Sequence, residues 1–559
     1  MYVEGLTGKF YHTRHLTHQD FNMKIAAIDV GSNSIHMILV ESHDGIDFEI
    51  VDREKEMVRL GSGVFETREL SEAAMARAEQ CLHNYRRLAE RLRADRILAY
   101  ATSAVREARN GGDFISRIHE RVGIFLQLIT SAEEARLITL AVQHSINFRG
   151  RRALLIDIGG GSVEVSLCDS KQTFLSESRK LGVIRLTEKF ISQDPITNKG
   201  REAIERFVVK RVSDLVREAR RIGFAMAVGT SGTILTLADL AHQTRYREGL
   251  RHFNQQILKL ESLELLNRRL LAMSLKERLR FEGVNLARAT TIVAGAILLE
   301  TLMREFRVKR LTLCTRAMRE GMVLDFLQRS WEPQGSVNDL ISDVRRRSVL
   351  ELARRSRYDQ AHSERVAQTA LQIFDATRRV HRLNQETREL LEYGALLHDI
   401  GILASYTRHH RHSQYLILNS DLRGFTPREI NFIALLARFH RKGEPNRRDP
   451  ECALIPRKEF ERLRRLSAIL RVADGIDRSH NQILTLISLR RDHRRWRFEF
   501  EARDEAELEL WGAQRKGQLF EKLFAGKMDF RVTLNRPEHP AALVRGRKPR
   551  PGRRSHSTR

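Results

Sequence analysis

The sequence contains one short pattern twice: an apolar strand that ends in Asp, followed by one apolar residue, a glycine and several small polar residues. It reads KIAAIDVGSNS at 24–34 and ALLIDIGGGS at 153–162, which places Asp29 and Asp157 at equivalent positions 128 residues apart. A third apolar run, AMAVGTSGT at 225–233, also ends in glycine and hydroxyl residues. Self-similarity of this kind indicates an internal duplication of a buried strand and its tight turn.

The segments between these strands have apolar residues at three- and four-residue spacing, as at 71–92 and 201–221, which predicts helices. Strands alternating with helices indicate an α/β architecture. Beyond about residue 330 the strand pattern fades. Amphipathic stretches there predict an all-helical region: 337–357, 362–380, 386–400 and 426–440. Short alternating runs such as RWRFEF and FRVTL, within 483–535, then predict a small α+β segment.

The composition limits the classes of ligand that the protein can bind but does not identify the ligand. The 559 residues include 97 Lys and Arg against 71 Asp and Glu, and a net charge of +26 attracts polyanions. Nucleic acid, polyphosphate and nucleotide phosphates all satisfy that requirement, so nucleic acid is not required. We expect no disulfide framework and no thiolate metal site, because the four cysteines are far apart: Cys81, Cys168, Cys314 and Cys452. No apolar segment is long enough to span a bilayer, so we expect a cytoplasmic protein with no membrane attachment.

The glycine-rich turns suggest phosphate binding. Glycine lets backbone N–H groups approach phosphate oxygens closely, and neighbouring hydroxyls add donors. The candidate hydroxyls are those of Ser32, Ser34, Ser162, Thr230, Ser231 and Thr233. A single turn of this type is more often a plain strand-to-helix connection, but two copies in phase and a third variant favour phosphate.

Acidic residues accompany these turns. Asp29 and Asp157 are expected at the carboxyl ends of strands, where α/β folds bind ligands and where Mg²⁺ finds oxygen ligands. Either aspartate could instead cap its own turn, an alternative that is strongest for Asp29. In ITSAEEARLI, Glu133 and Glu134 are predicted to begin a helix with Ser131 as its N-cap. Spacing does not decide which glutamate faces inward, and first-turn acids ordinarily pair with the helix dipole.

The chain resembles the exopolyphosphatase / guanosine pentaphosphate phosphatase (Ppx/GppA) family across residues 24–325. The motifs that carry the resemblance, in the same order and spacing, are AAIDVGSNSIHMI, TSAVREA, ITSAEEARLI, LLIDIGGGSVEVS, VGTSGT and RAMREGM. The resemblance implies an actin-like (ASKHA) α/β domain pair that hydrolyses terminal phosphoanhydrides with Mg²⁺ or Mn²⁺.

Carried over residue by residue, the resemblance makes Glu134 the catalytic base and gives Asp157 and Glu164 metal- and water-positioning roles. Arg106 matches an arginine near the cleft that could clamp phosphate, although it could equally be a surface helix residue. The phosphate-binding loops correspond to Ser32, Asn33, Ser34, Gly160, Gly161, Ser162, Gly229 and Ser231. One departure is that Thr315 and Arg316 stand where many members have a pair ending in glycine.

The second half contains histidines and aspartates in an order that resembles the HD phosphohydrolase superfamily, around ALLHDIG and RVADGID. The resemblance implies one or two divalent ions at a second site formed by His362, His398, Asp399, His412, His440 and Asp474. The alternative is a degraded HD-like domain that holds polyphosphate or forms a dimer.

We therefore expect an extension at 1–22, actin-like subdomains at 23–145 and 146–328, an HD-like domain at 329–482, an α+β segment at 483–540 and a basic tail at 541–559. The expected activity is release of orthophosphate from polyphosphate, held in a basic groove beside the helical domain, by a homodimer. The alternatives are a guanosine pentaphosphate 5′-phosphohydrolase, an HD phosphohydrolase or phosphodiesterase with a regulatory actin-like half, and a non-enzymatic sensor. A sugar or acetate kinase is disfavoured by EEAR and GSNS.

Overall fold

The computed structural model of the protein describes residues 22–330 and 344–534, apart from positions 44, 46, 442 and 454. The residues before 22, the stretch 331–343 just after the expected boundary at 328/329, and the residues from 535 onward, which include the expected basic tail, lie outside the described residues. The described chain forms two compact units. Unit 1 contains the residues up to Ser348 and the segment Asp421–Ile430, and unit 2 contains Val349–Ser420 and the residues from Asn431 onward. None of the described helices combines the length and apolar character needed to cross a membrane.

Unit 1 contains two sheets with the same internal plan. The first has the order β3-β2-β1-β4-β5, with β1 Met23–Val30, β2 Ile35–Ser42, β3 Glu49–Glu56, β4 Arg96–Ala101 and β5 Leu126–Leu128. The second has the order β10-β11-β9-β6-β7-β8, with β6 Ala153–Ile158, β7 Val163–Cys168, β8 Thr173–Arg179, β9 Met226–Thr230, β10 Ile257–Lys259 and β11 Arg310–Leu313. In the first sheet β1 lies between its antiparallel hairpin partner β2 and the parallel strand β4. In the second sheet β6 lies in the same way between β7 and β9.

The strand registers confirm the duplication read from the sequence. Asp29 in β1 lies opposite His36 in β2, and Asp157 in β6 lies opposite Glu164 in β7. The two hairpins therefore match residue for residue with the same offset that separates the sequence motifs. Because the period along a strand is two, this shared register puts equivalent side chains on equivalent faces of both sheets.

Helices cover these sheets, and the helices predicted at 71–92 and 201–221 are confirmed as Glu72–Arg91 and Asn198–Ile222. The other helices of this part of the chain are Val64–Thr67, Ser103–Glu107, Gly111–Val122, Ser131–Gln143, Val183–Phe190, Gly232–Tyr246, Leu260–Ala272, Leu275–Arg278, Leu286–Ala289, Ile292–Glu305 and Met318–Ser330. Ile292–Glu305 is buried along almost its whole length, which explains its nearly continuous apolar sequence.

The second half is mostly helical, as predicted. Its helices are Val344–Arg355, Gln360–Ala376, Arg378–His381, Gln385–Leu396, His409–Leu418, Pro427–Phe439, Pro450–Ala453, Arg457–Ile476, Glu507–Lys516 and Gln518–Leu523, with a 3₁₀ turn at Ile400–Leu403. The α+β segment is confirmed as a three-stranded sheet of β12 Leu484–Asp492, β13 Arg495–Ala502 and β14 Lys527–Leu534. The buried aromatics Trp496, Phe498 and Phe520 pack between this sheet and its helices.

Candidate active site

The turns that follow β1, β6 and β9 meet around one cavity of about 170 Å³ in unit 1. Both halves of the duplication contribute to its lining, as expected for the carboxyl ends of central strands. Most of the residues predicted for the site line this cavity: Ser32, Asn33, Ser34, Glu134, Asp157, Gly160, Ser162 and Ser231, together with Asp29.

The turns after β1 and β6 are closed by equivalent backbone hydrogen bonds. The Gly31 amide donates to the Ser34 carbonyl at 3.2 Å, and the Gly159 amide donates to the Ser162 carbonyl at 3.0 Å. The turns also approach each other, because a β-carbon added to Gly160 would lie 3.0 Å from the β-carbon of Ser32. Glycine at 160 therefore lets backbone from both halves reach a shared ligand.

The third turn is held in an uncommon conformation. Ser231 has φ 95°, and its hydroxyl accepts a hydrogen bond from the Ile234 amide at 3.3 Å as the N-cap of the helix Gly232–Tyr246. A positive φ at a non-glycine residue raises the free energy of the folded state, and residues of this kind are concentrated at functional sites.

Two predicted loop glycines lie outside the cavity lining. A β-carbon on Gly161 would come within 2.5 Å of the Ser103 hydroxyl and the Phe65 ring, so Gly161 provides close packing behind the turns. Gly229 lies inside β9, where a β-carbon would meet Leu311 at 2.6 Å. Both glycines are therefore required by close packing, and their assignment to phosphate binding stays a prediction. Ser103 was not predicted; it lines the cavity, and its hydroxyl lies 2.8 Å from that of Ser32.

The helix Ser131–Gln143 shows which glutamate faces inward. Its N-cap is Thr130, not Ser131 as predicted, and the Thr130 hydroxyl accepts from the Glu133 amide at 3.1 Å. Glu133 turns away and binds Arg136 at 2.8 Å, whereas Glu134 lines the cavity. The first-turn dipole role thus falls to Glu133, and Glu134 is the residue available for chemistry.

Arg106 supports Glu134 rather than lining the cavity. Its guanidinium donates to the Ile129 carbonyl at 2.8 Å and to the Glu134 carboxylate at 3.3 Å. One end of the arginine is therefore fixed to the backbone that precedes the helix Ser131–Gln143. The other end contacts Glu134, and the predicted phosphate clamp stays a prediction.

Four carboxyl groups are buried together at one side of the cavity. Burial raises the pKa of Glu134 and that of Asp157 well above their usual values, and the nearby Glu164 carboxylate raises both further. Burial likewise raises the pKa of Glu164, and it raises that of Asp29 to about 6. Like charges gathered in low dielectric destabilise one another, so this side of the cavity favours a bound cation.

Glu164 lies beside Asp157 on the neighbouring strand β7. It is 3% exposed, does not belong to the cavity lining, and accepts a hydrogen bond from the Ser178 hydroxyl at 2.9 Å. Its cross-strand partner Asp157 does line the cavity. Asp157 and Glu164 supply carboxylate oxygens of the kind that Mg²⁺ prefers, so the donor set fits the implied metal.

Cationic side chains also line the cavity, and the sequence interpretation missed them. They are Lys55, Arg288 and Arg319, with His36 beside Arg319. Arg319 Nη1 lies 2.6 Å from His36 Nδ1, and the Ser34 hydroxyl lies 2.7 Å from His36 Nε2. Burial and the charges of Arg319, Lys55 and Arg288 hold the pKa of His36 well below its usual value. Arg319 belongs to the RAMREGM motif, which is the one signal that could have identified it.

A second cavity of about 620 Å³ shares part of this cationic wall. Lys55, Arg288 and Arg319 line both cavities, and Arg53 lines the larger one. An anion whose terminal group occupies the smaller cavity can therefore continue along positive charge into the larger one. Thr315 also lines the larger cavity, whereas its neighbour Arg316 is 4% exposed and lies over the Phe48 ring at 4.9 Å.

The histidines predicted in the second half form a separate cluster in unit 2. His362, His398, Asp399, His440 and Asp474 supply atoms in groups within 4.8 Å of one another. His409, which was not predicted, belongs to these groups, whereas the predicted His412 does not. The helix His409–Leu418 begins at His409, while the β-carbon of His412 lies against Gly401.

Comparisons with known proteins agree with this architecture. The sequence model of the Ppx/GppA phosphatase family matches residues 38–330, and that of domain III of Ppx/GppA phosphatases matches residues 344–514. An exopolyphosphatase from Cytophaga hutchinsonii is 28% identical with a TM-score of 0.52, over 55% of this chain and 98% of that one. The Aquifex aeolicus member of the Ppx/GppA family is 27% identical with a TM-score of 0.48, over 56% of this chain and 100% of that one.

An exopolyphosphatase-like protein is 22% identical with a TM-score of 0.50, over 55% of this chain and 100% of that one. The two sheets of unit 1 form the actin-like α/β fold, and the similarity to these two structures extends over 55% of this chain. The family match extends over more than half of the sequence and includes Glu134, Asp157 and the turns after β6 and β9, whereas the turn after β1 precedes the matched residues. This chain belongs to the Ppx/GppA phosphatase family and is a phosphatase.

Proposed function

We propose that the protein releases terminal orthophosphate from inorganic polyphosphate, using water activated by Glu134. The observation that carries this proposal is the position of Glu134, which lines a cavity together with small polar turns and the cationic side chains of Lys55, Arg288 and Arg319. A terminal phosphate held by the turns would present its phosphorus to water beside Glu134.

The reaction is a displacement at phosphorus. The water oxygen forms a bond to the terminal phosphorus as Glu134 takes one of its protons, and the bridging oxygen leaves with the electron pair of the broken bond. Such a transfer needs positioning and charge neutralisation more than covalent chemistry. The raised pKa of Glu134 suits a base, because proton transfer is most efficient when the pKa of the base approaches the working pH.

The acidic side of the cavity supports a requirement for Mg²⁺ or Mn²⁺, held by Asp157 with Glu164 behind it. When bound, the ion would neutralise phosphate oxygens and polarise the phosphoryl group. Arg288 and Arg319, which also line the cavity, would supply further positive charge to the phosphate oxygens.

Polyphosphate is favoured over a single nucleotide by the cationic wall that continues into the larger cavity. The similarity to an exopolyphosphatase from Cytophaga hutchinsonii agrees with this choice. The second candidate is 5′-phosphate removal from guanosine pentaphosphate, which would use the same Glu134. A purely regulatory role of the actin-like half is disfavoured, because such a role would not require buried carboxylates around Glu134.

A direct comparison of substrates tests the proposal. We expect the wild-type protein with Mg²⁺ to release phosphate from long-chain polyphosphate with a higher kcat/KM than from guanosine pentaphosphate. A higher kcat/KM for guanosine pentaphosphate would show that the nucleotide, and not polyphosphate, is the preferred substrate. No release from either substrate would reject both.

A further inference from the structure

Three adjacent strands of the first sheet present a row of ionisable side chains to the smaller cavity. His36 in β2 lies opposite Asp29 in β1 and opposite Lys55 in β3, and all three line the cavity. Residues paired directly across strands project from the same face of a sheet. The ring nitrogens of His36 contact Arg319 and Ser34. The proposed displacement at phosphorus gives His36 no role of its own.

The contact with Arg319 determines which nitrogen of His36 carries a hydrogen. Arg319 Nη1 lies 2.6 Å from His36 Nδ1. A guanidinium has N–H donors only and stays charged in proteins. His36 Nδ1 must therefore accept this hydrogen bond, so it carries no hydrogen. In a neutral imidazole the single hydrogen is then on Nε2.

The same contact requires the ring of His36 to be neutral. A protonated imidazole carries hydrogens on both nitrogens, so its Nδ1–H would point at an N–H group of Arg319. Burial and the charges of Arg319, Lys55 and Arg288 hold the pKa of His36 well below its usual value, which agrees with a neutral ring. One tautomer and one charge state are thus selected.

This tautomer determines the direction of the next hydrogen bond. His36 Nε2 lies 2.7 Å from the Ser34 hydroxyl oxygen, so Nε2–H donates and the hydroxyl accepts. A serine hydroxyl can also donate one hydrogen bond. Within residues 22–330 and 344–534, the Ser34 hydroxyl has no acceptor for its own hydrogen, and Ser34 lines the cavity. The hydroxyl hydrogen is left for a ligand in that cavity.

We propose that Arg319, His36 and Ser34 form a hydrogen-bond chain of fixed direction, which holds the Ser34 hydroxyl as a donor to an oxygen of the terminal phosphate. His36 is a positioning residue, because it acts through Ser34 and does not touch the phosphate. This inference rests on the proposed function, which brings a terminal phosphate into the cavity. Successive hydrogen bonds polarise one another, so the charge of Arg319 strengthens the donor at the far end of the chain.

The chain gives Ser34 a property that a neighbouring loop hydroxyl lacks. The Ser32 hydroxyl lies 2.8 Å from the Ser103 hydroxyl, and either of these oxygens can be the donor. At Ser34 the direction is set before any ligand arrives. A donor that is oriented in advance needs no reorganisation while charge moves on the phosphate oxygens.

A double-mutant cycle tests the chain through phosphate release from long-chain polyphosphate with Mg²⁺. We expect Ser34→Ala and His36→Ala each to lower kcat/KM by about 10- to 100-fold, the usual range for a hydrogen bond to a charged group. The double variant should stay within about two-fold of Ser34→Ala alone, because His36 acts through Ser34. His83→Ala is the control, since His83 is exposed on the helix Glu72–Arg91, and it should behave as wild type.

Nitrogen-15 NMR of the histidine-labelled wild-type protein reads the tautomer directly. The His36 signals, identified by their loss in His36→Gln, are expected to show a neutral ring with its hydrogen on Nε2 around neutral pH. This readout would not follow from a merely structural role of His36. It needs no active variant, so it decides the direction of the chain even where His36→Ala fails to fold by circular dichroism.

A hydrogen on Nδ1, or a protonated ring, would overturn the proposal. So would near-normal kcat/KM in a folded His36→Ala, or losses that multiply in the double variant. These outcomes leave the proposed function intact, because wild-type phosphate release is measured in the same series. A wild-type protein that releases no phosphate from polyphosphate would instead reject the proposed function and, with it, the role of the chain in that reaction.

Discussion

The guanidinium of Arg106 lies 3.3 Å from the carboxylate of Glu134 and is anchored to the Ile129 carbonyl. Arg106 thereby lowers the pKa of a carboxyl group that burial and Glu164 raise. The pair sets the pH at which the proposed base becomes ionised. A positioning residue of this kind is expected to change the pH profile more than the affinity for phosphate.

Arg106→Gln is expected to move the acidic limb of the kcat profile to higher pH. Glu134 acts as a base when ionised, so activity falls as pH drops through its pKa, and loss of the neighbouring positive charge raises that pKa. Arg106→Lys should shift the limb less, since it keeps the charge. The measurement is phosphate release from polyphosphate across pH for the three proteins, and an unmoved limb in Arg106→Gln would contradict the role.

Lys55 is expected to make polyphosphate binding pH-dependent on the alkaline side. Partial desolvation in the cleft and the charges of Arg288 and Arg319 lower the pKa of Lys55 to about 8. Its positive charge is therefore present below pH 8 and lost above it, so KM for polyphosphate should rise through that range. Lys55→Arg should flatten the rise, because arginine stays charged. Identical KM profiles for the two proteins would show that Lys55 does not meet the substrate.

Asp157→Asn is expected to raise the Mg²⁺ concentration needed for half-maximal activity, because one carboxylate of the proposed metal site is lost. The readout is phosphate release titrated with Mg²⁺ at fixed substrate. Asp214→Asn is the control, since this carboxylate is 62% exposed and pairs with Arg179 on the outer surface. An unchanged Mg²⁺ dependence in Asp157→Asn would remove this residue from the metal site.

Arg423→Ala is expected to destabilise unit 1 by about 3–5 kcal/mol, the usual cost of leaving one partner of a buried ion pair behind. Both guanidinium nitrogens of Arg423 bind the Asp47 carboxylate, at 2.7 and 2.6 Å, and both side chains are almost fully buried. Arg206→Ala, at a 72% exposed site, should stay within about 0.5 kcal/mol of wild type. Urea unfolding curves would measure both, and equal midpoints would contradict the assignment.

The sequence predicted the duplicated α/β part well, because its strands carry continuous apolar runs and its turns carry glycine. Asp29 and Asp157 are separated by the same number of residues as His36 and Glu164. Each aspartate lies opposite its partner in the strand register, so the structure repeats the offset seen in the motifs. Helix positions followed from apolar spacing, which buried faces require. The Thr130 N-cap was missed, because Thr130 and Ser131 both carry a hydroxyl that suits an N-cap.

Long-range relationships were not predictable from local pattern. The segment Asp421–Ile430 belongs to unit 1, where Arg423 binds Asp47, although 376 positions separate the two residues. The cationic wall was missed because Lys55 and Arg288 belong to a chain with 97 basic residues, in which no spacing marks them out. The sequence interpretation chose His412, whereas the structure places His409 among the clustered histidines. The start of the helix at His409 decides which residues of HHRHS face inward, and the local pattern does not reveal that start.

The most direct test of the central claim compares two neighbouring glutamates. Glu134→Gln is expected to lower kcat for phosphate release from polyphosphate by about 10²- to 10⁴-fold, the usual contribution of a positioned base. Glu133→Gln should remain within a few-fold of wild type, because Glu133 binds Arg136 outside the cavity. Near-normal release by Glu134→Gln, or an equal loss in both variants, would contradict the account.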